Sequence, residues 1–539
     1  MAKTSKPLAP QLKRRLRLLI TIALVVQSLI FCYVGSQKSY YHMDEAYSFG
    51  LASYDKMEIH DNPDFYDTWH TSDYYADYLQ VDDDERWDFR PVYDNQVVDV
   101  HPPFYYLLLR FTMELTHGRI TKWGGIALNI VVYTFITVFA YLILQKLLPP
   151  PADPANPAAA FHRDLLALAI AFTSSLTLAS LIDLAYIRMY ALSALNVLAI
   201  TYFHLRLQES YDRRNLTFVA LFALIGSLTH YFFLFYLAVL FACTLISRFR
   251  HKQPVAGYLV ALAIAAALSL LIFPHSIHQL FFSYRGDGAI SNLSSFSALG
   301  QIGVFLAILH RYAFNSLLLI LALAIIVLFI ILWHRHALKT LGLPSSFFLV
   351  LWPSLAYFLL TAIASPYLEV RYILPVCTPL FLLVFAVLYA LVARTLPKPK
   401  PAILITLFAL ALTLLAPLAT GDSPAQVLYP EKRAIVSALS GDLNLPTVYW
   451  YKTSNDRFLD DIYLFALLDH SYLAKDADPS PDLIKSILKD QDLSRGLILF
   501  INGDDSYDLT LAAFQSATDL TTVQHLEHLN ACDVYLLTE

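Results

Sequence analysis

KRRLRLLITIALVVQSLIFCYVG (13–35), followed at once by SQKSYYHMDEAYS (36–48), decides the fold. A basic cluster precedes an apolar run long enough to cross a bilayer, whose hydrocarbon is about 30 Å thick and needs roughly 20 residues. No small-residue cleavage site follows, so the run reads as an anchor and not as a cleaved leader. The acids Asp44 and Glu45 come as soon as the chain leaves it.

The rest of the chain repeats that alternation. Hydrophobic residues make up 57% of the 539, charged residues only 15%. Soluble domains carry closer to a quarter charged residues. Eleven apolar runs read as spans, at about 16–34, 123–146, 164–182, 187–206, 215–230, 231–247, 256–274, 314–333, 345–364, 373–394 and 400–419. The split at Thr229-His230-Tyr231 rests on the polar groups there. No basic patch suggests nucleic acid. The four cysteines are scattered, which supports neither a disulfide framework nor a Cys metal site.

Lys and Arg set the expected orientation. The cluster Lys13, Arg14, Arg15, Arg17 puts the N-terminus in the cytoplasm. Alternate loops then fall inside, and they carry Arg163, Arg213 with Arg214, Arg248 to Lys252, Arg335 with Lys339, and Arg394 to Lys400. Outside fall 35–122, the turn 183–187, the loop 275–313, the turn 365–372 and the tail 420–539. The protein is thus expected to be a multi-pass protein of the plasma (inner) membrane. Its expected fold class is a polytopic α-helical membrane protein, 1–419, with a small extracytoplasmic α/β domain, 420–539. In the tail, short apolar runs such as Thr447–Tyr451 and Gly496–Ile501 alternate with helical patterns such as 482–490.

The loop 35–122 is acidic: between Asp55 and Asp99 stand fourteen acids and three bases. Most of these read as a solvated surface, and the Tyr and Trp among them suit an interface. The segment 102–118 is apolar but short, and holds Arg110, Glu114 and His117. A span would bury those groups at several kcal/mol each. The expectation is a helix lying in the outer interface, with Pro at its first turn.

Six segments deliver ionisable groups to the outer rim: Asp44-Glu45; Asp99 with His101; Asp183 with Arg188 and Tyr190; His230; His275, His278 and Arg285; and Glu369 with Arg371 and Tyr372. Each has a plain alternative. Asp44-Glu45 serves equally to solvate an exit loop, Arg188 to snorkel to a headgroup, His230 to satisfy a buried turn. Glu369 and Arg371 are two apart, so on a helix they would not face each other. The conjunction is what points to chemistry. A carboxylate beside a hydroxyl acts as general base. Arginines clamp a phosphate and stabilise its charge. A lipid-borne phosphate sits at this depth.

Five short strings resemble the GT-C membrane glycosyltransferases, in particular the family 39-like enzymes related to protein O-mannosyltransferases and aminoarabinose lipid A transferases. They are Met43-Asp44-Glu45-Ala46-Tyr47-Ser48, His101-Pro102-Pro103-Phe104-Tyr105-Tyr106, Arg188-Met189-Tyr190-Ala191-Leu192, Thr229-His230-Tyr231, and Arg371-Tyr372 with Pro375. The resemblance covers 43–375 and leaves the tail without a counterpart. It implies a polyprenyl-phosphate-linked sugar donor and an acceptor outside the cytoplasm, whether lipid, protein or glycan. It implies an inverting transfer with Asp44 as base and Glu45 assisting, and Arg188 and Arg371 on the donor phosphate. Asp99, His101, Tyr190, His230, Arg285, Glu369 and Tyr372 complete the expected substrate site. In one place the pattern departs: the family's acid before the arginine string is missing, and Asp183 stands farther back in its place. Asp44, Glu45, Asp99 and His101 offer oxygen and nitrogen to a divalent metal, but no spacing demands one. A transporter or flippase also explains many spans and buried charges. Such proteins tend to show internal repeats and midplane polar groups, and neither is evident. A non-catalytic scaffold has no need of charges from six segments at one depth.

Overall fold

The computed structural model describes all residues except 1–9, 55–58, 60–61, 63, 152–155, 294–297, 337–342, 397–398, 442–444, 452–455, 476–477, 503–506 and 530–531. Lys339 and Asp55 therefore lie outside the described residues, as does the side chain of Arg285.

In chain order the helices before the tail begin with α1 (Pro10–Ser36), α2 (Met43–Ser53), α3 (Ser72–Leu79), α4 (Arg90–Val98), α5 (Phe104–Leu115) and α6 (Lys122–Leu147). Next come α7 (Pro157–Ser174), α8 (Leu178–Ala185), α9 (Tyr190–Glu209), α10 (Arg213–Ser227), α11 (Phe233–Arg250), α12 (Ala256–Ile272) and α13 (Ser276–Phe281). The series continues with α14 (Tyr284–Leu293), α15 (Ala298–Ile308), α16 (Leu318–His334), α17 (Ser345–Ala364), α18 (Leu374–Thr395) and α19 (Pro399–Thr420).

All eleven apolar runs fall on helices. Among the described residues six helices, α1, α6, α11, α17, α18 and α19, are by length and composition apolar enough to cross a membrane, or up to nine spans if each of three bent pairs counts as one. Two of the eleven runs fall outside that set. Helix α10 has only 15 residues, short of the roughly 20 a span needs. Helix α9 is long enough but carries Asn196, Thr201, His204 and Arg206.

By contacts the chain divides into two units. The first comprises 1–35, 100–105 and 126–424; the second comprises 36–99, 106–125 and 425–539. In the first, α18 is the most enclosed span, with 83% of its apolar window buried, so the other helices pack around it. The α7–α8 pair bends by 57°. Thr177 caps the new start by accepting from Ser180 N, which offsets the donors that a helix start leaves without intrahelical partners.

The second unit holds a six-stranded sheet: β1 (Trp69–Thr71), β2 (Thr447–Tyr451), β3 (His470–Lys475), β4 (Leu497–Asn502), β5 (Thr522–His528) and β6 (Asp533–Thr538), ordered β1-β3-β2-β4-β6-β5. The central β2 pairs in parallel with β3 and β4; the outer pairings are antiparallel. Strand β4 is buried along its whole length, as expected of an apolar run covered on both faces. The helix Pro481–Leu488 packs on this core through Ile484, Ile487 and Leu488. The unit boundary does not follow the sequence division at 419/420. Strand β1 comes from the acidic loop and pairs with β3 of the tail, Trp69 opposite Tyr472.

Helix α5 forms as expected, but its polar residues do not reach for headgroups. Arg110 and Glu114 are fully buried in protein and paired at 3.0 Å. Helices α2 and α3 meet where Gly50 faces the Tyr78 ring; a Cβ at Gly50 would overlap that ring.

Candidate active site

The two units each hold part of the expected site. In the second unit, α2 carries the acidic motif on its first turn. Asp44 N donates to His42 Nδ1 (3.0 Å), and His42 N donates to Glu45 Oε2 (2.7 Å). This reciprocal capping satisfies two donors at the helix start. Glu45 is also paired with Lys38 Nζ at 2.9 Å, both side chains buried. Lys38 donates in addition to Val427 O (2.6 Å). Glu45 is thus occupied in holding the turn. Its neighbour differs: the Asp44 side chain is 20% exposed and its Oδ2 lies 3.8 Å from His42 Nδ1. The helix N-terminus favours an ionised carboxylate there. Asp99 caps the far end of α4, its N–H donating to Asn95 O.

The tail also contributes to the second unit's part. Asp460 Oδ1 accepts from Met43 N (3.2 Å). Asp461, fully buried, accepts from Tyr40 OH at 2.9 Å and from Cys532 Sγ at 3.3 Å. Burial first, and then Asp460, pushes its carboxyl up to about 7.

In the first unit four of the five motif strings converge. Phe104 N donates to Leu228 O (3.0 Å), which pins the His101-Pro102-Pro103 strap to the α10–α11 turn. The His101 ring lies 6.4 Å from His230, and His230 lies 5.5 Å from Tyr190. Tyr190 stacks on Tyr186 at 6.1 Å and meets Tyr372 edge-on at 6.4 Å. Arg371 Nη1 donates to Tyr186 OH (3.0 Å). Arg188 is 5% exposed, Arg371 8%. His230 Nδ1 accepts from Phe232 N (3.1 Å). Burial, then the nearby His101 and Arg188, pushes the His230 imidazole down to about 3, so at neutral pH the positive charge here belongs to the arginines.

Two expectations change. Glu369 and Arg371 do pair, at 3.1 Å, because the segment is not α-helical. Glu369 is extended and Val370–Tyr372 forms a single 3₁₀ turn. Asp183 is no rim acid: it is 1% exposed and accepts from Tyr133 OH at 2.9 Å. Arg285 lies on α14, and His275 and His278 are exposed.

Asn129, which carried no role in the sequence reading, is a pivot. Its Nδ2 donates to the carbonyls of Asp183, Leu184 and Tyr186, at 3.4, 3.0 and 3.1 Å. It fixes the C-terminal end of α8, and with it the Tyr186 ring that Arg371 reaches. A lone Asn in the apolar run 123–146 was the available signal. Among the described residues no group of three His, Cys, Asp or Glu is arranged to hold a metal ion.

Fold and site together define a polytopic helical membrane protein in which arginine, histidine and tyrosine from separate helix ends gather in one cluster. Among solved structures the chain is similar to ArnT from Cupriavidus metallidurans bound to undecaprenyl phosphate, at TM-score 0.53 and 11% identity, covering 96% of this chain and 98% of that one. It therefore shares the overall fold of that protein. A looser similarity, TM-score 0.44 and 11% identity over 90% of this chain and 69% of the other, is to the oligosaccharyltransferase AglB from Archaeoglobus fulgidus, in complex with an inhibitory peptide and a dolichol-phosphate. No family model and no curated protein matches the sequence.

Proposed function

We propose that the protein is a membrane glycosyltransferase that moves a sugar from a polyprenyl-phosphate-linked donor to an acceptor outside the cytoplasm. The observation that carries the reading is the first unit's cluster. Two nearly buried arginines, 188 and 371, stand among tyrosines and a histidine, and Arg371 is also paired with the half-exposed Glu369. A cationic, aromatic-walled cluster at helix ends suits a lipid phosphate, since guanidinium binds phosphate oxygens through paired N–H groups. The shared fold supports it, having been determined with undecaprenyl phosphate bound. No observation favours a transporter.

In this reading Asp44 takes the proton from the acceptor hydroxyl. That oxygen forms a bond to the sugar's anomeric carbon as the bond from that carbon to the donor phosphate oxygen breaks. The electron pair leaves with the polyprenyl phosphate, whose charge Arg188 and Arg371 stabilise. Glu45 holds the turn that aims Asp44. Mass analysis of lipid co-purifying with the protein tests the reading. A polyprenyl phosphate is expected from wild type, with about tenfold less from Arg371→Ala, the equivalent of about 1.4 kcal/mol. Preparations devoid of any polyprenyl phosphate, from cells that make it, would count against the assignment.

The same reading places the N-terminus in the cytoplasm and the tail outside, as the basic inner loops require. Protease added to spheroplasts should remove a C-terminal epitope and spare an N-terminal one. The reverse pattern refutes the orientation.

A further inference from the structure

We propose that the second unit carries a pocket for the phosphate group of a membrane lipid, distinct from the reacting cluster above. A cavity of about 220 Å³ is lined by Lys38, Tyr40, Tyr41, Lys122, Trp123 and Tyr463, with no carboxylate among the lining residues. Its charge is out of balance. Lys38 is neutralised by Glu45, but the two other cations at the strap 36–39 are held by neutral acceptors alone. Lys122 Nζ donates to Ser36 O (2.9 Å) and Lys38 O (2.5 Å). Arg433 donates to Ser39 Oγ (3.2 Å), to Gln37 O (3.1 Å) and to Gln37 Oε1 (3.3 Å). Among the described residues Lys38 is the one of these three cations paired with a carboxylate, and Tyr40 in the lining donates to Asp461 behind it.

Cations gathered by backbone carbonyls, without a counter-acid, repel one another and are stabilised by an anion. Two or three such groups match the charge and oxygen count of phosphate better than those of a single carboxylate. The surroundings name its source. Ser36 is the last residue of α1 and Lys122 the first of α6, and both helices are apolar enough to cross a membrane. Their shared end is where acyl chain gives way to headgroup. Trp123, 38% exposed and 5.9 Å from the Lys122 ammonium, is the residue type that marks this level. The tyrosine and tryptophan rings offer apolar surface to the headgroup's glycerol or sugar. Lys38 ties the pocket to Glu45, so an occupant sits one ion pair from the turn that carries Asp44.

The test uses the full-length protein in nanodiscs of phosphatidylcholine with or without phosphatidylglycerol, and counts retained lipids by native mass spectrometry. Wild type should keep phosphatidylglycerol in preference to phosphatidylcholine. The pair Lys122→Gln with Arg433→Gln should reduce that preference about tenfold, the loss of about 1.4 kcal/mol. Arg433 is exposed, so Arg433→Gln alone keeps the fold and should show part of the loss, and Lys122→Arg should keep the preference. Equal retention of the two lipids by wild type overturns the proposal, and so does an unchanged preference in the double variant. Displacement of phosphatidylglycerol by millimolar inorganic phosphate overturns the lipid source and assigns the pocket to free phosphate.

Discussion

Under the proposed function, asparagine at position 44 is expected to lower sugar transfer from a polyprenyl-phosphate-linked donor by at least about a hundredfold, with the protein still folded and inserted. General-base groups contribute typically about 10²–10⁴-fold, and the amide cannot accept the acceptor's proton. The capped turn is expected to survive the change because the Asp44 backbone N–H, which any residue supplies, donates to His42 Nδ1. The neighbouring Glu45→Gln separates the two roles. It removes the charge partner of buried Lys38 and weakens the capped turn, so it should lower thermal stability first and activity as a consequence. Transfer assays on washed membranes, paired with melting curves in detergent, distinguish the outcomes. Full transfer by Asp44→Asn removes Asp44 as base. An unaltered melt for Glu45→Gln removes Glu45 as the structural partner.

The second large effect falls on Arg110. Its guanidinium, fully buried, donates to four acceptors: Glu114 Oε1 (3.0 Å), Ala52 O (3.2 Å), Ser53 O (3.0 Å) and Glu85 O (2.8 Å). Glu114 Oε1 also accepts from Trp87 N (2.9 Å). One side chain therefore holds the end of α2, the 85–87 turn and α5 together. Arg110→Ala leaves a buried carboxylate without its closest cation and takes a donor from each of three carbonyls, of which Glu85 O keeps Asp88 N–H. Breaking such a pair costs about 3–5 kcal/mol, enough to loosen the second unit at growth temperature. Limited proteolysis of the purified protein should cut the loop between α2 and α5 far faster in the variant. Arg110→Met combined with Glu114→Met should recover part of the loss, since neither member of the fully buried pair is then left alone and only the part-exposed Arg86 loses a partner. Equal cleavage rates in wild type and Arg110→Ala would show that the network is not needed.

How much of this was legible depended on what each residue costs. Arg188, Arg371, His101 and His230 could be singled out because ionisable groups are expensive in an apolar chain. The structure gathers those four in one unit. The tail's strands β2 and β4 were readable as short apolar runs. Strand β1 was not: three residues, Trp69–Thr71, inside an acidic stretch show no period at all, and only pairing with β3 makes them a strand. The Glu369–Arg371 pair was hidden by the assumption of helical spacing, which a 3₁₀ turn does not obey. The runs on α9 and α10 were the least marked as spans, the first for its polar residues and the second for its 15-residue length. Asp44 and Glu45 looked alike as letters. Only the coordinates divide them into an accessible carboxylate and a buried brace.

The pairing of Trp69 with Tyr472 joins residues some four hundred positions apart in the chain. A ribosome delivers the first long before the second exists. The acidic loop must therefore wait unpaired until the chain has been extended through β3. Domains otherwise tend to fold as they emerge. Here the edge of β3 that β1 covers would stand open in a tail made alone, an invitation to pair with other chains. A truncated product that inserts every apolar helix would still lack this sheet.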